Sequence, residues 1–225
     1  MAAMHDNPQT AAWAWAFALL TITAVALSGR PARAAETKRP GHVHFVEARV
    51  TKERLQELAT KREGFELPQL RVYDAQGRRL LDLTGYGPDS FTAKMAPLLK
   101  GQGRADASKL LAPDLDRVEQ ADGKPLGALP DADLTIVEMW ADWCAPCHAQ
   151  TGHLARMLAQ HPEVRVNLIH LEADPNKMMN VKDRPSKLPP PTLHKLDDPS
   201  LSDAEREKLL REIVAAGKGR KPPAR

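Results

Sequence analysis

The only two cysteines of this 225-residue chain, Cys144 and Cys147, lie three positions apart. Two thiols at this spacing can exchange with a disulfide: one thiolate attacks it, and the second thiol then resolves the mixed disulfide. Together with His148 they also spell C-x-x-C-H, the attachment signature of a c-type haem. A zinc site would need four ligands, and only His148 and His153 lie nearby in the sequence. A purely structural disulfide across so short a loop would stabilise the fold little.

The elements on either side of the cysteines favour the exchange chemistry. Residues 134–140 form an apolar run that predicts a buried strand. After the cysteines, Leu154, Met157 and Leu158 recur at the spacing of a buried helix face. A dithiol at a strand-to-helix turn lies at a helix N-terminus, where the partial positive charge of the backbone N–H groups favours a thiolate. Haem attachment needs no buried strand before the cysteines, so this context favours thiol–disulfide exchange.

The run from Trp143 to Cys147 behind an apolar strand resembles the thioredoxin family, in which W-C-x-x-C follows a central strand and opens the first long helix. The resemblance implies an α/β fold with a central mixed sheet flanked by helices. It also implies an enzyme, a thiol-disulfide oxidoreductase acting on protein disulfides, in which Cys144 and Cys147 alternate between dithiol and disulfide. Its partners would be protein thiol or disulfide substrates and an upstream electron donor. The resemblance implies no cofactor and no metal.

The direction of electron flow is suggested by the two residues between the cysteines. Ala145-Pro146 is similar to the Gly-Pro pair of reductant-type members and lacks an intervening histidine, which favours a reductase. The alternative is a non-catalytic thioredoxin-like binding or scaffold protein whose dithiol is incidental.

Further site residues follow from the family's pattern. Glu138 stands six residues before Cys144, at the family's acidic position, where a buried carboxylate would accept and return the proton of Cys147. Trp143 resembles the surface tryptophan beside the thiolate. The family's cis proline presents backbone groups to a substrate strand and matches either Pro68 or Pro191. We favour Pro68, because it leads directly into a predicted hairpin.

The predicted elements fall into two segments joined by a linker. Residues 41–101 run strand, helix, strand, strand, helix, an order that looks like the C-terminal half of a thioredoxin domain but without a dithiol. Residues 102–130 are polar and rich in Asp, Pro and Gly, which predicts a linker. Residues 131–216 hold the strand and the C-x-x-C helix. The chain is therefore either one thioredoxin domain with permuted halves or two thioredoxin-like units. Because each segment lacks strands, we expect residues 42–100 to complete the sheet that carries the dithiol.

Residues 1–35 predict a signal peptide or a membrane anchor. An apolar run at residues 11–27 is followed by an A-x-A site, which predicts cleavage after Ala34. No Lys or Arg precedes the run, and its length approaches that of a membrane span, so membrane association through residues 11–27 stays open. We expect an exported protein, periplasmic or anchored and facing the periplasm. Arg30 and Arg33 after the run give the alternative of an anchor facing the cytoplasm.

The net charge, the cysteine count and the C-terminal residues give little further information on function. The formal net charge of +3 gives no reason to expect nucleic-acid binding. Two cysteines allow no disulfide framework beyond the motif itself. Residues 217–225 form a basic tail whose composition is typical of an unfolded end.

Overall fold

The computed structural model describes residues 41–60, 66–173 and 193–218, which belong to one compact unit. The predicted signal peptide or anchor, Pro191 and residues 219–225 lie outside the described residues. Within the described ranges, no helix combines the length and the apolar character that a membrane crossing requires.

Strands and helices follow one another along the chain, and in the described ranges the strands form one sheet. In chain order they are β1 (Val43–Val50), α1 (Lys52–Thr60), β2 (Gln69–Asp74), β3 (Arg78–Thr84), α2 (Pro88–Leu99), β4 (Asp106–Leu110), α3 (Leu111–Leu115), β5 (Val118–Gln120), β6 (Leu134–Trp140), α4 (Ala145–Ala159), β7 (Val166–Glu172), a 3₁₀ helix (His194–Asp197) and α5 (Asp203–Lys218).

The strands of the two predicted segments are interleaved in this sheet. The order across it is β4-β3-β2-β6-β7-β1-β5, with β6 parallel to β7, β7 parallel to β1, and the other pairs antiparallel. The β2–β3 hairpin therefore pairs on one side of β6–β7, and β1 pairs on the other. This arrangement confirms the expected α/β class with a mixed sheet, and it confirms that residues 42–100 complete the sheet of the dithiol.

The two segments also share a hydrophobic core. On one face of the sheet, Leu70 and Val72 of β2 pack with Ile136 of β6, with Phe91 of α2 and with Leu154 of α4. Each such side chain, when fully buried, contributes on the order of 2 kcal/mol. Because both segments contribute to this one cluster, the described residues do not form two separate cores.

Side chains of β6 point alternately to the two faces of the sheet, and this alternation determines which of them lie beneath α4. Leu134 and Ile136 belong to the core beneath α2 and α4, whereas Val137 belongs to the cluster on the opposite face. Side chains two residues apart share a face of a strand, so Glu138 projects toward α4 as well. A carboxylate is thus carried into an otherwise apolar layer directly below the helix that follows the cysteines.

Residues 102–130, predicted to be a linker, include strands and a short helix, so that prediction is wrong. β4 pairs with β3, and β5 pairs with β1, so this stretch supplies both outer strands of the sheet. All side chains of β4 are exposed. Backbone pairing holds this edge strand in the sheet, and its side chains all face water. Its sequence therefore lacks the alternation of apolar and polar residues that predicts a strand.

Helix α2 begins at Pro88 behind Gly87, and no side chain caps it. Proline suits the first helical position, because its fixed φ is helical and no N–H partner is needed there. Helix α1 begins after Thr51, whose Oγ1 lies 3.5 Å from the backbone N of Arg54.

Candidate active site

Cys144 lies where β6 passes into α4 and acts as the N-cap of that helix. Its Sγ accepts a hydrogen bond from the backbone N of Cys147 at 3.2 Å. Its carbonyl oxygen accepts from the backbone N of Cys147 at 2.9 Å and of His148 at 3.2 Å. Pro146 stands in the first turn, where its missing N–H leaves no partner unsatisfied. The Cys144 sulfur is therefore held against the positive end of a 15-residue helix.

The two cysteines are joined in a disulfide and are nearly covered by protein. Cys144 is 4% exposed and Cys147 is fully buried. They cluster with Ala141, and Leu67 and Trp140 pack against them. Cys144 is thus the only cysteine of the pair with an exposed area, while its role as the nucleophile stays a prediction.

The candidate substrate-binding residues lie around this cluster. The Leu67–Pro68 peptide bond is cis, as expected, and Pro68 immediately precedes β2, which pairs with β6. Since Leu67 packs on the cysteine cluster, this corner of the chain lies next to the disulfide. Trp143 is 40% exposed and lies beside Cys144. Substrate binding by Pro68 and Trp143 stays a prediction, and Pro191 falls outside the described residues.

Glu138 is fully buried beneath α4. Its Oε1 accepts hydrogen bonds from Thr151 Oγ1 at 2.9 Å and from Gln150 Nε2 at 3.3 Å. Gln150 and Thr151 follow Cys147 by three and four residues, which places them one helical turn further along the same face. The carboxylate therefore lies below the helix one turn from Cys147, and its role as proton acceptor stays a prediction.

Sequence reasoning missed His170 of β7, the strand that runs parallel beside β6. His170 pairs in register with Glu138, and its Nε2 lies 3.7 Å from Glu138 Oε2. Its ring stacks on Trp140 with centroids 4.3 Å apart. The only signal in the sequence was a histidine inside an apolar strand, and its neighbours could be found only from the strand register.

His148, directly after Cys147, is 2% exposed and contacts oxygens of two residues, Asp197 and Asp142. Its Nδ1 lies 2.8 and 3.0 Å from the two carboxylate oxygens of Asp197, and its Nε2 lies 3.0 Å from the carbonyl oxygen of Asp142. Burial lowers the pKa of His148, but the hydrogen bond and charge of Asp197 and the carbonyl of Asp142 outweigh it. The net result is a pKa above the usual value of 6.5.

A second buried histidine, His153, lies further along α4 in a different environment. The Tyr86 hydroxyl lies 3.1 Å from its Nδ1, the Thr92 hydroxyl 3.1 Å from its Nε2, and Asp203 Oδ1 3.3 Å from its Nε2. Burial is the main reason that the pKa of His153 falls to about 4, and the cations of Arg156 and Arg206 lower it further, against Asp203. His153 is therefore neutral near pH 7.

A buried arginine holds the C-terminal elements on α4. Arg206 of α5 is fully buried, donating from Nε to Leu196 O at 3.2 Å and from Nη2 to Asp198 O at 2.6 Å. Gly152 of α4 permits this approach, because a Cβ there would lie 2.2 Å from Leu196 O. These contacts bring the 3₁₀ helix, and with it Asp197, next to the start of α4.

In the described part of the chain, one group of side chains has spacing suitable for a metal ion. Ligand atoms of His148, His194 and Asp197 all lie within 4.8 Å of one another. The two histidines already bind the Asp197 carboxylate through hydrogen bonds, His194 Nδ1 at 3.1 Å. Those hydrogen bonds are sufficient to explain why the three residues lie together.

A comparison with protein-family models points to the same segment as the cysteine geometry. Residues 128–213 match the family model described as Thioredoxin. A stretch of 61 residues is 33% identical to Thioredoxin C-3 of Corynebacterium nephridii, covering 26% of this chain and 42% of that relative. The chain thus spans less than half the length of the curated relative it matches. No solved structure matches the chain significantly.

Proposed function

Because the chain is a thioredoxin-like protein, we propose that it is a thiol-disulfide oxidoreductase that reduces disulfides of exported proteins in the cell envelope. The observation that carries the proposal is the disulfide between Cys144 and Cys147 at the N-terminus of α4. A sulfur that caps a helix is stabilised as a thiolate after reduction, and the thiolate is the attacking form.

The reaction begins from the reduced dithiol. The Cys144 thiolate attacks one sulfur of a substrate disulfide, and the other substrate sulfur leaves and takes up a proton. Cys147 then loses its proton and attacks Cys144 Sγ, which releases the second substrate sulfur and forms the Cys144–Cys147 disulfide. Two electrons have passed from the enzyme dithiol to the substrate. An upstream dithiol donor must return them before the next turnover.

The surrounding residues support this sequence of steps. Glu138, buried one turn from Cys147, serves as the acceptor of the Cys147 proton. The exposed Trp143 ring offers an apolar surface beside Cys144 for a substrate chain. The backbone at cis Pro68 offers peptide groups to that chain at the same corner.

Reduction of insulin by a dithiol donor tests the activity. The wild-type protein should accelerate precipitation of the freed insulin chain, and Cys144→Ser should abolish the acceleration because no attacking thiolate remains. Pro125→Ala, in the loop after β5, is a control that should keep full activity. If the wild-type rate equals that of Cys144→Ser, the chain is a non-catalytic thioredoxin-like binding protein.

The reductase direction needs a separate measurement. Equilibration of the Cys144/Cys147 pair with thiol buffers gives its reduction potential, and a reductase should lie near the thioredoxin value of about −270 mV. A potential near the −120 mV of strongly oxidising members would assign the opposite direction.

The haem alternative is less well supported by the residues around the motif. A c-type haem would need His148 as an iron ligand, but His148 is buried and both of its ring nitrogens already contact protein oxygens. Its cysteines would form bonds to the haem, whereas here they bond to each other.

The envelope location rests on residues 1–35 alone. Expression of the full chain in a Gram-negative host, followed by fractionation and N-terminal sequencing, tests it. A periplasmic product that begins at Ala35 supports the signal peptide, and an uncleaved membrane product supports an anchor. A full-length product in the cytosolic fraction contradicts both.

A further inference from the structure

The contacts of His148 can all be hydrogen bonds only if the ring carries two protons. Its Nδ1 faces the carboxylate of Asp197, and its Nε2 faces the backbone carbonyl of Asp142. A carbonyl has no proton to donate, and a charged carboxylate has none either. A neutral imidazole has one N–H and would leave one of these oxygens facing a lone pair. The geometry therefore calls for the imidazolium form, and the raised pKa of His148 agrees with it.

This imidazolium lies one helical turn from the attacking cysteine. His148 follows Cys144 by four residues, and its backbone N donates to the Cys144 carbonyl at 3.2 Å. Side chains at this spacing are neighbours on one helix face. Its ring also contacts that of Trp140 edge-on, with centroids 5.9 Å apart, and Trp140 packs against the cluster that contains both cysteines.

The orientation of the His148–Asp197 ion pair determines which charge it presents to Cys144. The Nε2–H edge of His148 faces the turn that leads into Cys144, while the Asp197 carboxylate lies on the Nδ1 edge. The pair thus presents its positive end toward the turn. In a buried site this field is weakly screened, so it should favour a negative charge on Cys144.

We propose that His148 is a positioning residue for the exchange reaction, which holds the Asp142–Cys144 turn and stabilises the Cys144 thiolate, with Asp197 as the counter-ion that keeps His148 charged. This inference rests on the proposed function. It adds a fixed charge, supplied from the C-terminal 3₁₀ helix, to the helix N-terminus that already favours the thiolate.

The other groups that face His148 are compatible with this role. The 3₁₀ helix presents His194, whose ring lies 5.2 Å from that of His148 and bonds the same carboxylate. Trp140 of β6 carries no charge. Asp142 of the adjoining turn contributes its carbonyl, and its negative charge also raises the pKa of His148. From α5, Asp203 and Arg206 lie instead around His153.

The test compares how fast Cys144 is alkylated at different pH values in the reduced full-length protein. His148→Gln keeps an amide that can donate to Asp197 but removes the charge, so alkylation at pH 6 should slow about tenfold. The midpoint of the pH profile should rise by about one unit. Asp197→Asn should shift the profile in the same direction, because an uncharged partner no longer holds the proton on His148.

The chain contains a matched control on the same helix. His153 is also buried in α4 and also lies beside an aspartate of the C-terminal segment. Its other partners are hydroxyls, which can donate or accept, and it is neutral near pH 7. His153→Gln should therefore lower stability but leave the alkylation profile of Cys144 unchanged.

The ¹⁵N chemical shifts of the His148 ring in the wild-type protein report its protonation state directly, so this test needs no variant. Two protonated ring nitrogens at pH 7 support the proposal. One protonated nitrogen overturns it, and so do equal alkylation shifts in His148→Gln and His153→Gln. Neither measurement uses a protein substrate. Failure to reduce insulin would thus overturn the proposed function without affecting this result.

Discussion

At the scale of single residues, the two cysteines differ in exposure and in their place on the helix. Cys144 caps α4 and keeps a small exposed area, whereas Cys147 lies inside the first turn and is fully buried. We expect iodoacetamide at mildly acidic pH to label Cys144 first in the reduced protein. Peptide mapping after partial labelling measures this, and preferential labelling of Cys147 would reverse the assigned roles.

Glu138 supports a prediction on the second half of the reaction. If Glu138 accepts the proton of Cys147, Glu138→Gln should slow resolution of a mixed disulfide on Cys144 by about 10–100-fold. The initial attack should hardly change, because that step requires no proton to leave Cys147. Stopped-flow measurement with a chromogenic disulfide separates the two steps. An unchanged resolution rate across neutral pH would leave Glu138 with a structural role only.

At the scale of elements, the approach of the C-terminal segment to α4 depends on Gly152. A Cβ there would meet the Leu196 carbonyl oxygen at 2.2 Å and Arg206 Nε at 3.0 Å. The backbone oxygen cannot move aside cheaply, so Gly152→Ala should lower the free energy of unfolding by about 2–4 kcal/mol. Gly127→Ala is the control, since nothing lies within 4 Å of its Cβ. Equal stability of the two variants in urea denaturation would contradict this packing.

His153 makes the packing of α4 against α5 sensitive to acid. Its pKa is about 4 in the folded protein and 6.5 in the unfolded chain, so the unfolded chain binds more protons between these values. The free energy of unfolding should therefore fall as the pH drops from 6.5 toward 4, by roughly 2 kcal/mol.

Denaturation of His153→Gln across the same range isolates this contribution, because the variant should lose that part of the slope. His148 does not contribute to this slope, since the stability that its raised pKa provides is fully present below pH 6.5 and is lost only as the pH rises above that value. Identical slopes for the wild type and His153→Gln would contradict the assignment.

At the scale of the whole molecule, the interleaved sheet predicts that the part matching the family does not fold alone. A fragment of residues 128–218 would leave the outer edges of β6 and β7 without β2 and β1. It would also expose the core that Leu70 and Val72 help to form.

We expect this fragment to be unfolded by circular dichroism, whereas residues 41–218 unfold in one cooperative transition. Addition of a fragment of residues 41–127 should restore structure, because it supplies the missing strands. A folded, active 128–218 fragment would show that the two segments are independent.

The sequence alone was sufficient to predict elements whose residues lie within a short stretch of the chain. The strand of residues 134–140, the turn with Cys144 and Cys147, and the helix behind it follow from apolar spacing within a short stretch. The hairpin of β2 and β3 follows in the same way, because Asp74 and Gly77 form its turn. Chemistry that depends on a helix N-terminus could thus be predicted without a tertiary structure.

Only the tertiary structure decided which distant residues surround the dithiol. Asp197 reaches His148 because Arg206 and Gly152 hold the 3₁₀ helix on α4, and no local pattern records that contact. The edge strands β4 and β5 could not be predicted for a related reason. They are held by backbone pairing, which does not require an alternation of polar and apolar side chains. Contacts between residues far apart in sequence are set by strand register and helix packing, which exist only once the chain has folded.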